Sequence, residues 1–312
     1  TSLYVIHADG GEAEKILELP LGISNPRWLP DGRRIVFGTS VLPKLAGDPE
    51  AMKKELKKQK ESKVSAKVSE HSVVRFFDTW QLDGQAKRLL LVDLATKQTT
   101  DLTPRQDRRF NYSDSVTFDL SPDGQWLVLA AGTTPPPYRG NENRDILLLS
   151  VDRPETPWKN LTADNPQSDD NPKFSPDGRS VLFGRNVRER GLSEQTRLMR
   201  IDLATGRITR LAADADLAPQ DWDLSGDGTT VYFRAEDRGR TKVFATPAAG
   251  GAVTELVRDG TNSELVVGGR QLFFLRQTFN RPDEVYSYDL ASRATAVRTT
   301  LNYALFARLS LQ

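Results

Sequence analysis

The chain has 312 residues, 27% of them charged and 38% hydrophobic, with a net charge of +1 at neutral pH. That near-neutral balance gives no electrostatic reason to expect nucleic acid or an anionic membrane as partner. The absence of cysteine excludes a disulfide framework, a thiolate zinc site and a cysteine nucleophile. No apolar run reaches the roughly 18 residues of a membrane span, and cytoplasm and periplasm both stay open because a cysteine-free chain fits either.

The first predicted element is a hairpin, LYVIHADGGEAEKILEL at residues 3–19. NPRWLPDGRRIVFG follows at 25–38, where a short apolar run meets a Leu-Pro-Asp-Gly turn and a second apolar run. An insertion interrupts from about residue 42 to 85. Its first part, EAMKKELKKQKESKVSAKV at 50–68, spaces Met52, Leu56, Val64 and Val68 by multiples of four, which predicts a charged helix with a thin apolar stripe. Interleaved glutamates favour a solvated helix on a domain rim over a basic helix for an acidic partner. The second part, VVRFFDTWQLDG at 73–84, is dense in aromatics and predicts packing at a pore mouth or a domain interface.

RLLLVDLATKQTTDLT at 88–103 is a second kind of hairpin, turning at Asp-Leu-Ala-Thr. The first kind returns as VTFDLSPDGQWLVLAAG at 116–132, and the second returns with a longer turn as DILLLSVDRPETPWKNLT at 145–162. NPKFSPDGRSVLFG (171–184) precedes RLMRIDLATGRITRLA (197–212), and QDWDLSGDGTTVYFR (220–234) precedes KVFATPAAGGAVTELV (242–257). A worn copy of the first kind, ELVVGGRQLFFLR (264–276), is followed by EVYSYDLASRATAVRTT (284–300) and a tail, LNYALFARLSLQ (301–312).

In the first kind of turn, proline presets φ at the first corner, aspartate bonds its own backbone, and glycine takes the φ > 0 position. Apolar positions then alternate, as Ile35/Phe37, Leu127/Leu129, Val181/Phe183, Val231/Phe233 and Leu272/Phe274, with an intervening residue that is usually apolar too. A strand apolar on both faces lies between two other layers. Four short strands per unit of roughly 40 to 55 residues is the signature of β-propeller blades. A β-sandwich with coincidental turns would not alternate two hairpin kinds so strictly. The expectation is an all-β propeller over residues 1–300, with five complete four-stranded antiparallel blades plus half a blade, from a parent of six or seven. The opening half blade leaves edges uncovered, which predicts further sequence upstream.

The chain offers little that reads as catalytic. His7 and His71 are far apart and read as surface residues. No G-x-S-x-G elbow, H-E-x-x-H or calcium loop occurs, so neither a metal nor a cofactor is expected. Asp31, Asp123, Asp177 and Asp227 read as turn chemistry, and Asp169, Asp170 and Asn171 as turn residues ahead of a strand.

The alternation of SPDG hairpins with VDLATG-type hairpins resembles the N-terminal propeller of the prolyl oligopeptidase family of serine peptidases, in particular its bacterial acylaminoacyl-peptidase and dipeptidyl-peptidase branch. It also resembles the propeller of TolB-type proteins. Three features lean toward the peptidases: the charged insertion leading to Arg75, Phe76, Phe77, Asp78 and Trp80; AEDRGRTKVFATPAAGG at 235–251; and RTTLNYALFARLSLQ at 298–312, similar to the linker entering the catalytic domain. The resemblance implies a non-catalytic propeller that gates short peptides toward an α/β-hydrolase domain, absent here and reached after the linker beginning at 301–312. The triad lies in that domain, so no catalytic residue is assigned to this chain. The resemblance also implies Arg75, Phe77, Asp78 and Trp80 as substrate contacts, against the simpler reading of a structural ion pair, and Glu236, Arg238 and Arg240 as contacts to the hydrolase domain. The alternative is a free-standing TolB-type scaffold that binds proteins.

Overall fold

The computed structural model describes residues 2–64, 66, 68–77, 79–81, 84–104, 106, 109–111, 115–140, 142–187 and 195–309. The chain divides into two compact units, residues 1–168 and 169–312.

The first unit opens on a two-stranded sheet, β1 (Ser2–Val5) with β2 (Glu14–Glu18). Blade one is β3 (Ser24–Trp28), β4 (Arg34–Val41), β7 (Ala86–Asp93) and β8 (Thr99–Asp101); between its second and third strands sit helix α1 (Pro49–Glu61) and a small hairpin of β5 (Arg75–Phe76) and β6 (Thr79–Trp80). Blade two is β9 (Phe118–Leu120), β10 (Trp126–Gly132), β11 (Arg144–Ser150) and β12 (Lys159–Asn160). Leu3, Ile16 and Leu19 of the half blade pack on Ile35, Phe37, Leu90 and Val92 of blade one. The other edge of β1 carries no strand among the described residues.

The second unit holds three blades and a short terminal helix. Blade three is β13 (Asp169–Phe174), β14 (Ser180–Arg185), β15 (Arg197–Asp202) and β16 (Ile208–Arg210). Blade four is β17 (Pro219–Leu224), β18 (Thr230–Asp237), β19 (Arg240–Pro247) and β20 (Thr254–Val257). Blade five is β21 (Thr261–Gly268), β22 (Gln271–Thr278), β23 (Arg281–Asp289) and β24 (Thr295–Val297), followed by α2 (Tyr303–Phe306). In every blade, strands adjacent in sequence are adjacent and antiparallel in the sheet, which is the four-stranded meander of a β-propeller blade.

Turn chemistry closes the first hairpin of blades one to four as the sequence predicts, while the worn copy in blade five turns at Gly269-Arg270. In blade three the Gly178 N–H donates to the Ser175 carbonyl at 2.8 Å, the Ser175 hydroxyl donates to Asp177 at 2.6 Å, and the Ser180 N–H donates back to Ser175 Oγ at 3.0 Å. Blade four repeats the set with Gly228, Ser225 and Asp227. Gly32, Gly124, Gly178 and Gly228 all take φ between 63° and 69°, a region costly for side-chain-bearing residues. The following strand is buried on both faces: every residue of β14 is buried, and Phe37, Phe183, Phe233 and Phe274 recur at the same blade position with at most 1% of their surface exposed. Each such ring is worth about 2–3 kcal/mol of burial.

Two expectations change. Helix α1 ends at Glu61, so Val64 and Val68 do not continue its stripe and stand 74% and 95% exposed. Only the first turns find apolar partners, with Met52 packing on Val41 and Leu42, while the lysine-rich remainder has nothing to bury. Asp169, Asp170 and Asn171 lie within β13 rather than in a turn. Asp169 is fully buried and ion-paired to Arg185 at 2.9 Å, and Asn171 takes φ 53° in a bulge between Asp170 and Lys173. A bulge reads in sequence like a turn because both use residues that tolerate φ > 0.

Candidate functional site

Hydrogen bonds order the insertion of blade one, some within it and some to other segments. Asp48 caps α1 by accepting the Ala51 N–H at 2.9 Å, with Pro49 in the first turn. The Ser72 N–H donates to the Pro137 carbonyl at 2.7 Å, which ties the insertion to the loop after β10. The Gln81 N–H donates to the Val74 carbonyl at 3.0 Å, closing the hairpin. Gln81 is buried and receives both Nη groups of Arg109, one on its side-chain oxygen and one on its carbonyl at 2.6 Å.

Three of the four residues implied as substrate contacts, Arg75, Phe77 and Trp80, are described on this hairpin. Arg75 and Trp80 are cross-strand partners, and the Arg75 guanidinium lies 5.5 Å from the Trp80 ring centroid. Phe77 meets Phe76 edge-on at 4.8 Å, takes φ 49°, and is 83% exposed; Trp80 is 60% exposed. Asp78 lies outside the described residues. The hairpin therefore presents a cation and two aromatic surfaces to solvent. Exposed aromatics on a pinned hairpin offer contact area at little entropic cost.

Beside the hairpin base is a cavity of about 740 Å³ whose lining includes His71, Gln81, Lys87, Arg88, Arg109 and Tyr138. The Tyr138 ring sits 5.1 Å from that of His71. Arg88 is buried and its Nε lies 3.5 Å from Asp101. Burial pushes the Arg88 guanidinium down and the Asp101 carboxyl up, each only partly offset by its partner and, for Asp101, by the Thr103 N–H. This arrangement supplies donors and positive charge, suited to carbonyl and carboxylate groups. The sequence reading did not select Arg88, Arg109 or Tyr138. Arg88 opens the repeated hairpin motif as Arg197 does in blade three, a repeat that was visible, but the return of residues 134–138 onto the insertion has no periodic signature.

The second unit carries the residues implied as contacts to a hydrolase domain. Arg238 (φ 51°) and Gly239 (φ 75°) form the two-residue turn between β18 and β19, a pairing that matches strand twist. The Arg238 side chain is 91% exposed, and Arg240 lies 3.5 Å from Asp259. Lys242 bridges Asp237 at 2.6 Å and Glu255 at 2.8 Å, and these contacts hold the Lys242 ammonium above its usual range and both carboxylates below theirs. Glu236 accepts from Gln220 at 3.1 Å and lines a cavity of about 400 Å³ with Asp170, Asn171 and Trp222. Thus Glu236 faces a different environment from Arg238 and Arg240, and the structure does not gather the three into one cluster.

No family model matches the chain. Among curated proteins it is 26% identical over 201 residues to dipeptidyl-peptidase 5 of Porphyromonas gingivalis, covering 64% of this chain and 29% of that protein. It is 32% identical over 133 residues to the uncharacterized peptidase YuxL of Bacillus subtilis, covering 42% and 18%. The chain thus spans less than a third of the length of these relatives. An acylaminoacyl peptidase solved with Z-Gly-Gly-Phe-chloromethyl ketone superimposes with a TM-score of 0.72 at 17% identity, over 99% of this chain and 43% of that one. TolB from Acinetobacter baumannii superimposes at 0.56 with 18% identity, over 94% and 58%. The structural likenesses establish the β-propeller fold, and the sequence relatives are peptidases. The likeness drawn from the motifs holds: this is a propeller similar to that of the prolyl oligopeptidase family.

Proposed function

From that likeness we propose that the chain is the non-catalytic, substrate-gating propeller of a prolyl-oligopeptidase-family serine peptidase acting on short peptides of the acylaminoacyl or dipeptidyl kind. Residues 1–300 are the propeller, with the insertion at about 42–85, and 301–312 begin the linker to an α/β-hydrolase domain that supplies the nucleophile, acid and base. The observation that carries this reading is the match to peptidases over blades alone. Blades can admit a flexible peptide and exclude a folded protein without taking part in bond cleavage. In this role the insertion hairpin, with Arg75, Phe77, Asp78 and Trp80, contacts the passing peptide. Arg238 and Arg240, with Glu236, face the hydrolase domain.

The test is direct. The chain alone, given acyl-aminoacyl and dipeptidyl p-nitroanilides, is expected to show no turnover. Turnover that a serine-directed inhibitor abolishes would overturn the proposal. The TolB likeness supports a second reading, a free-standing scaffold that binds proteins. An open reading frame continuing past Gln312 into a G-x-S-x-G motif decides for the peptidase, and a stop codon there decides for the scaffold.

A further inference from the structure

Blade five carries an arginine built to receive an anion. Arg276 and Glu284 are cross-strand partners on β22 and β23, as are Phe274 and Tyr286, so the four side chains share one face. The Arg276 guanidinium lies 5.2 Å from the Phe274 ring centroid and 4.7 Å from that of Tyr286, and its Nε donates to Asn262 Oδ1 at 3.0 Å. Asn262 is fully buried and fixed by donating to the carbonyls of Thr241 at 2.7 Å and Asp259 at 3.1 Å. The cation is thereby locked in position. Neither Nη atom donates to a described residue, and no described carboxylate lies within ion-pair distance.

Blade three shows what is missing. There Arg185, also two residues after the recurring phenylalanine and 5.4 Å from its ring, pairs with Asp169, its cross-strand partner. In blade five Asn262 is the cross-strand partner of Arg276, so an amide stands where blade three has a carboxylate. Nearby carboxylates are engaged elsewhere. Glu284 accepts from the Thr299 hydroxyl and from the N–H groups of Leu301 at 3.2 Å and Asn302 at 3.0 Å, while Asp259 faces Arg240. Burial disfavours the charged form of Arg276 and is only partly offset by Tyr286 and Asp259, so the site gains from an incoming negative charge. In front lies a cavity of about 460 Å³ whose lining includes Arg276, Arg281, Val297, Tyr303 and Phe306, and also Glu284, whose carboxylate is taken up by Thr299, Leu301 and Asn302.

We propose that Arg276 anchors a carboxylate-binding site whose ligand is a peptide with a free α-carboxylate and an apolar C-terminal residue. The two Nη groups offer parallel donors matched to a carboxylate, Arg281 adds positive charge at the mouth, and Val297, Tyr303 and Phe306 wall the side chain. The site is formed within the second unit by blade five and the segment that follows it, and its test is independent of the gating role.

The experiment is calorimetric titration of the chain with Gly-Gly-Phe and with its C-terminal amide, inorganic phosphate serving as competitor. The acid is expected to bind about tenfold or more tighter than the amide, the difference typical of one charge-assisted contact. Arg276→Gln removes the difference. Asn262→Asp, which installs the carboxylate found in blade three, weakens the acid about tenfold. Equal binding of acid and amide, no binding of the acid, or displacement by phosphate with no dependence on the phenylalanine would each overturn the assignment. The acid–amide comparison needs no variant, so a misfolded substitution does not leave the question open.

Discussion

Blade four provides an internal test of the turn argument, because its turn reads Ser225-Gly226-Asp227-Gly228 where the other Asp-Gly copies have proline at the second position, as at Pro30, Pro122 and Pro176. The hydrogen bonds of the two blade turns are nevertheless the same: Gly228 N–H to Ser225 O at 2.8 Å, and Gly178 N–H to Ser175 O at 2.8 Å. Gly226 is not among the positive-φ residues, and a Cβ built on it meets nothing within 4 Å. Replacing it with proline removes unfolded-state freedom without a clash, so Gly226→Pro is expected to stabilise by about 1 kcal/mol. Two residues on, Gly228 has φ 69° and its built Cβ has an ordinary contact with Pro176 at 3.5 Å. Crowding is therefore not at issue there, and Gly228→Val costs the left-handed backbone alone, about 1–3 kcal/mol. Urea titration followed by tryptophan fluorescence reads both, since Trp222 is on the strand entering this turn. The midpoint rises for the first variant and falls for the second, with an unchanged slope. In a thermal scan the shifts are about 2–4 °C per kcal/mol. Destabilisation by Gly226→Pro, or a neutral Gly228→Val, would refute the claim that this turn matches its proline-bearing copies.

The turn aspartates bind protons more weakly in the fold. Asp227 is lowered to about 2, first by the Ser225 hydroxyl and then by the Thr229 N–H and hydroxyl. Its contribution is complete above the unfolded value of about 4 and is lost as pH falls through about 2, so an NMR titration placing this carboxyl near 4 would count against the turn geometry. Phe233→Ala, which empties a site with 0% exposure stacked 5.5 Å from Phe244, is expected to cost about 3–5 kcal/mol in the same urea assay. Trp80→Ala should leave stability within about 0.5 kcal/mol, given its exposed ring; on the proposed gating role it raises KM for short peptides in the proposed full-length peptidase, and an unchanged KM would remove Trp80 from the peptide path. Glu284→Gln weakens the carboxylate contacts that hold residues 299–302, and limited proteolysis should then cut that segment faster.

How much of this was legible depended on whether a feature is local. The hairpins were readable because Ser-Pro-Asp-Gly specifies its own backbone path within six residues, and the recurring phenylalanines keep period 2 from the turn onward. The bulges in β3, β13 and β21 were not, since they depend on the register with a neighbouring strand. Helix α1 was visible from its spacing, but its end was set by tertiary contact: Met52 has the underside of blade one to pack on and Val64 has no such surface. Of the residues that the resemblance implies as substrate contacts, Arg75, Phe77 and Trp80 lie on one exposed hairpin. The cavity beside it was missed, because Arg88, Arg109 and Tyr138 come from three segments that no motif connects.

Repetition also makes departures informative. When several blades solve the same packing problem with the same residues, a position that breaks the pattern without losing burial is under some other demand. Two departures stand out on that argument. Blade one accepts a long insertion between its second and third strands and ties it to other segments through Ser72 to Pro137 and Gln81 to Arg109. Blade five keeps the arginine of blade three but exchanges its buried carboxylate for Asn262, leaving a half-buried cation to be neutralised from outside. In blade five the exchange also satisfies the carbonyls of Thr241 and Asp259, which a carboxylate could not. Each departure leaves polar or aromatic groups facing open space, the insertion hairpin in the first unit and the Arg276 cavity in the second. The Asn262→Asp variant gains an ion pair with Arg276 but turns a carboxylate oxygen toward the carbonyls of Thr241 and Asp259, so it is expected to melt lower than the native chain, and a folded variant that no longer takes up a carboxylate would tie the departure to binding.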